Sequence, residues 1–160
     1  MRRTGFFAWV LLTSSLFYTV GVSALTQSLL VEGYARETPP GAPMSAAYLS
    51  LHNTGERLLQ LTAIELSGDA KGSANLHTTE RAQGVSRMRP LEKLAIAAGE
   101  KLQMVPGGVH LMIHGVRLRA GESLPLRLLF ADGSSLEVLV PIMGREMLEK
   151  DHHRHHGSAG

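Results

Sequence analysis

Beyond its first stretch, the sequence is dominated by alternating apolar and polar positions. In SAAYLSLHNTG, Ala47, Leu49 and Leu51 fall on one side of an extended chain, and Asn53 to Gly55 close it as a turn. LPLRLLF places Leu124, Leu126, Leu128 and Phe130 on one face. After the turn residues ADGSS, LEVLV does the same with Leu136, Val138 and Val140, so the two segments predict a hairpin. LLVEGYARE, LLQLTAIEL and EKLQMV are less regular strand candidates. Short strands separated by Gly, Pro and Asn turns, with no competing helical period, predict an all-β single domain, a sandwich or small barrel.

Two breaks in this pattern divide the chain. The first 24 residues carry Arg2 and Arg3, an apolar run from Phe6 to Val22 and the small-residue sequence Val22-Ser23-Ala24. This is the anatomy of a secretory signal peptide cut after Ala24, with no stable membrane anchor left after its removal. Past Pro141 the composition shifts to IMGREMLEKDHHRHHGSAG, which predicts a flexible Met- and His-rich tail with a helical turn around Arg145 to Lys150. The expected organisation is a leader over 1–24, a β-domain over 25–141 and a tail over 142–160.

Charge and cysteine content narrow the chemistry. Setting aside Arg2 and Arg3, 14 of the 16 basic residues remain against 14 acidic ones, a near-neutral balance. No basic stripe or aromatic ladder points to nucleic acid. The chain has no cysteine, so thiolate catalysis and blue-copper centres are excluded and a secreted fold must rely on its own core. No triad-like or paired-carboxylate spacing argues for an enzyme.

The remaining chemistry lies in histidine and methionine. In PGGVHLMIHG, a strand would direct Leu111 and Ile113 to one face and His110, Met112 and His114 to the other. Burying the two leucine-type residues and leaving the imidazoles outside is the cheaper arrangement. Upstream, SANLHTTE and VSRMRP flank Ala82-Gln83-Gly84. A hairpin centred on that turn would pair residues whose numbers sum to about 165, setting His77 opposite Met88. Two imidazole–thioether pairs would then converge on one ion. Neutral thioether sulfur is soft and suits Cu(I), imidazole binds either copper state, and a thioether cannot form a disulfide in an oxidising compartment.

The positions His77, Met88, His110 and Met112 fit H-x(10)-M-x(21)-H-x-M, and here the sequence resembles the periplasmic copper chaperones called PCuAC. VEGYARETPPGAPMSAAYLSLHNTG is similar to the amino-terminal stretch of that family, and PGGVHLMIHGV to its second ligand strand, so the resemblance covers roughly residues 30 to 141. It implies a cupredoxin-like Greek-key β-sandwich that binds Cu(I) at a shallow surface site. It also implies delivery of the ion to copper-accepting proteins such as cytochrome c oxidase or its assembly factors. Some relatives carry methionine where His114 stands, making His114 either an alternative ligand or a polar neighbour. Met44, His52 and Met104 lie outside the signature and read as packing or surface residues.

The tail adds a candidate secondary site. His152, His153, His155 and His156 can bind Cu(II) through nitrogen, and Met143 and Met147 could add thioethers from one helical face. Three functions follow: a periplasmic chaperone, a periplasmic copper buffer whose tail does most of the capture, or a metal-free β-sandwich interaction module.

Overall fold

The computed structural model describes residues 28–68 and 71–146. Ten strands run in the order β1 (Leu29–Arg36), β2 (Met44–Asn53), β3 (Leu59–Leu66), β4 (Ser73–Ala82), β5 (Val85–Pro90), β6 (Leu94–Ile96), β7 (Lys101–Gln103), β8 (His110–His114), β9 (Ser123–Phe130) and β10 (Ser135–Met143). They form a single all-β sandwich. The first layer has the order β5-β4-β8-β2-β1, with β7 pairing the far half of β2. The second has the order β10-β9-β3-β6. The layers join where the end of β10 pairs in parallel with β1, Ala35 to Ile142 and Arg36 to Met143.

The alternation read from the sequence sets which side of each strand enters the core. Leu49, Leu51, Leu61, Leu111, Ile113, Leu126 and Leu128 are fully buried between the layers. Leu111 and Ile113 face Ala47 and Ser45 of β2 on one side and Leu76 and Ala74 of β4 on the other. Burying both aliphatic side chains stabilises β8 in one orientation, because a one-residue slip would expose them and bury its polar face. Met104 is buried in the core, as its packing role requires.

Gly33 shows how closely the first layer is built. Its φ is +149°, and a Cβ there would lie 2.2 Å from the Tyr48 carbonyl oxygen and 2.9 Å from the Leu49 Cα. Only glycine admits β2 at that distance.

Two boundaries differ from the sequence expectation. β10 continues past Pro141 to Met143, with Ile142 in the core. Composition alone assigns these two residues to the tail, because the strand they join, β1, lies more than a hundred positions away. β6, a three-residue strand against β3, carries too short a pattern to read.

The β4–β5 hairpin also has a different register. The closing pair is Ala82–Val85, His77 faces Pro90, and Met88 faces Thr79. His77 and Met88 are therefore diagonal rather than opposite. The cause is a two-residue turn in which Gln83 and Gly84 both have positive φ, 51° and 78°. That is the type I′ geometry favoured by the right-handed twist of a hairpin. Asparagine tolerates this conformation better than glutamine. Gln83→Asn is expected to stabilise the domain by about 0.5 kcal/mol, read as a small rise in the urea midpoint with an unchanged slope.

Candidate metal centre

The outward faces of the two layers differ in chemistry. On the second layer, Arg127 of β9 donates to Glu137 of β10 at 2.5 Å, and Ser67 also donates to Glu137. The Ser67 hydroxyl and then Arg127 hold the Glu137 carboxyl below its usual range, and the same contact raises Arg127. This is an ordinary solvated ion-pair surface. The first layer instead presents imidazoles and thioethers.

Strand β8 carries that chemistry because its core side is occupied by Leu111 and Ile113, leaving His110, Met112 and His114 outside. On β4, His77 lies directly opposite His110, and Asn75 opposite Met112. The two rings stack with centroids 6.1 Å apart and planes 25° from parallel. His110 is only 6% exposed although it lies on the outer face. His77 is half-buried.

Both rings are held the same way. His110 Nδ1 donates to the Gly108 carbonyl oxygen at 2.9 Å, and His77 Nδ1 donates to that of Asn75 at 3.2 Å. A carbonyl oxygen only accepts, so the hydrogen must sit on Nδ1. In the neutral ring, Nε2 then keeps its lone pair for a Lewis acid. A carbonyl fixing the tautomer from behind is the usual support of a metal-binding imidazole. The turn before β8 supplies it: Gly108 N–H donates to the Val105 carbonyl and Thr79 N–H to the Gly108 carbonyl, tying the turn to β4.

The thioethers stand at opposite ends of this pair. Met112 is two residues from His110 on the same face, about 6.6 Å along the strand, so His77, His110 and Met112 form a compact trio. Met88 is 60% exposed on β5, past the other end of the histidine pair. On a flat ladder it would lie roughly 16 Å from Met112, two strand spacings across and two side-chain repeats along. A four-donor shell therefore requires the β4–β5 arm to curl towards β8, the direction in which two-stranded ribbons twist most.

The other candidates are distributed unevenly. His114 shares the face of Met112 and lies opposite Met44 of β2 and Ser73 of β4. Met143, at the end of β10, lies away from the histidine pair but lines the same groove as Met112. This open groove, of about 390 Å³, runs over Ala46 and is also bordered by Arg36, Pro39 and Met44. The sequence reading gave Met44 no part in this face, because nothing local signals that β2 will lie beside β8. Met147, His152, His153, His155 and His156, with most of the helical turn expected there, lie outside the described residues. Among the described residues, no helix is long and apolar enough to cross a membrane.

The fold and the site together define a cysteine-free β-sandwich with imidazoles and thioethers gathered on one strand face. The chain belongs to the LpqE-like family, whose model, "Putative lipoprotein LpqE-like", matches residues 29–142. It is 36% identical over 107 residues to "Putative lipoprotein Lxx21020" of Leifsonia xyli, covering 64% of this chain and 62% of the relative. It is 30% identical over 101 residues to an uncharacterized protein, RP573, of Rickettsia prowazekii, covering 61% and 55%. The matches thus span less than two thirds of these relatives' own lengths.

Solved structures of the same fold include the Cu(I) form of DR1885 from Deinococcus radiodurans, with 27% identity, a TM-score of 0.56 and coverage of 75% of this chain and 83% of that one. The apo PCuAC domain of PmoF1 aligns at 21% identity with a TM-score of 0.59, covering 73% and 94%. Cysteine is absent from all 160 residues, so no lipid can be attached through cysteine sulfur within them.

Proposed function

We propose that the protein is a periplasmic copper chaperone. It binds Cu(I) through His77, Met88, His110 and Met112 and passes it to a copper-accepting protein, the assembly of cytochrome c oxidase copper centres being the destination the PCuAC resemblance suggests. The observation that carries this reading is the His77–His110 pair, stacked on one outer face with both Nδ1 atoms tied to carbonyls. The copper content of solved structures with the same fold supports it.

Neutral donors leave the bound ion cationic and without a thiolate bond to break, which favours release. Transfer would proceed by stepwise ligand exchange at this open face. The exposed Met88 is the first donor to leave, ahead of the buried His110. Residues 1–24 act as the export signal, and the tail histidines hold Cu(II) as a secondary store.

X-ray absorption of the copper-loaded full chain tests the assignment. Sulfur and nitrogen scatterers around Cu(I) are expected at one equivalent, with the sulfur contribution sharply reduced in the Met88→Leu/Met112→Leu double variant. A nitrogen-only shell would refute it. Deleting residues 150–156 separates chaperone from buffer. The chaperone reading expects only a Cu(II) fraction to disappear, whereas loss of nearly all copper would favour a buffer.

A further inference from the structure

Met112 has a second set of soft neighbours. On the side of β8 away from β4, Met44 of β2 lies directly opposite His114, and Ala46 opposite Met112. Directly opposed residues have Cβ atoms about 4.5–5.5 Å apart, diagonal ones such as Met44 and Met112 about 7–8 Å. His114 and Met112, two apart on one strand, are separated by about 6.6 Å. All three are half-buried on the outer face. The small Ala46 between Met44 and Met112 leaves open space above it, and both methionines line the groove that results. Neither is packed into the core, which takes Ala47, Leu49, Leu111 and Ile113 from the alternate positions of the same strands.

From this arrangement we infer that Met44, Met112 and His114 form a second Cu(I) position, sharing Met112 with the first and opening into the groove. The inference rests on the chaperone reading for the first position. Cu(I) accepts small sets of soft donors, and two thioethers with one imidazole suit it better than any hard cation. Moving the ion between positions releases Met88 and exchanges the imidazoles of His77 and His110 for Met44 and His114, while the Met112–copper bond persists. No electron is transferred and no proton need move, because every donor is neutral. The ion advances from the β4–β8 side, where His110 is buried, to the β8–β2 side, where an acceptor's side chain can enter the groove. Met143, on the groove's far wall, provides a further thioether for an ion in transit.

The test uses the full chain labelled at methionine methyl groups and titrated with Ag(I), a redox-inert analogue of Cu(I). The methyls of Met88 and Met112 are expected to shift over the first equivalent and that of Met44 between the first and second. Met44→Leu, which conserves volume, should weaken the second equivalent at the domain at least tenfold and change the first by less than twofold. His114→Ala should act in the same way. A Met44 methyl that stays still through two equivalents would overturn the second position, including the case in which Met147 shifts instead because the tail takes the ion. Failure of the first position reads separately, as a Met88 methyl that does not respond to the first equivalent.

Discussion

Replacing Met112 with leucine is expected to lower Cu(I) affinity by more than about 100-fold, beyond the 10- to 100-fold loss typical of removing a supporting partner of a ligand. The substitution keeps side-chain volume on a half-buried face, so stability should change by less than about 1.5 kcal/mol. The effect is large because Met112 belongs to the compact trio with His77 and His110, which needs little rearrangement to meet an ion. Met88→Leu should cost less, about tenfold, since that thioether has to be carried in on the β4–β5 arm. Competition against a Cu(I) chelator under reducing conditions measures both. Equal affinities for wild type and the Met112 variant would remove Met112 from the site.

Asn53→Ala should produce the largest stability loss of any single polar substitution considered, about 3 kcal/mol, or roughly 10 °C in Tm. Asn53 is 1% exposed at the end of β2. Its Nδ2 donates to the carbonyls of Arg57, Ile96 and Ala97 at 2.7, 3.1 and 3.0 Å, and its Oδ1 accepts from Gly55 N–H at 3.0 Å. An amide has two such hydrogens, so one is shared between the adjacent carbonyls of Ile96 and Ala97. One side chain thus joins β2, the turn into β3 and the end of β6. Truncation removes the side-chain donor from the buried bond to the Ile96 carbonyl and from the part-buried one to Arg57, while the Ala97 carbonyl keeps the Glu100 N–H. Asn53→Asp should be at least as harmful at neutral pH, because a carboxylate cannot donate to any of them. The single tryptophan, Trp9, precedes β1 in the sequence and lies outside the described residues, so far-UV circular dichroism in urea is the suitable probe. Remote from β8, the variant should bind Cu(I) normally while folded.

Much of the fold was legible because alternation is a local property. Leu124 to Phe130 and Ala47 to Leu51 announce their inward faces within a few residues, and the parity of PGGVHLMIHG fixes which side of β8 meets the core. The hairpin pairing was misread by two positions because Gln83-Gly84 is a less obvious I′ turn than Asn-Gly. The error left face assignments intact, since an even slip keeps every side chain on its side of the sheet. Contacts between distant strands could not be read at all. The stacking that buries His110 depends on β4 lying beside β8, the position of Met44 on β2 beside β8, and the inclusion of Ile142 on β10 beside β1. No sequence pattern spans those separations.

All six residues of β5 are exposed, and β5 pairs with β4 alone at the margin of its layer. Unfastening it would break a few backbone hydrogen bonds and release almost no apolar surface. Its amides should therefore exchange with deuterium at a low opening free energy, far below that of β8. An ion bound through Met88 would draw on that reserve of freedom, and protection along residues 85–90 would rise with copper occupancy. The exchange rate of one marginal strand would then serve as an internal gauge of how much cargo the protein carries.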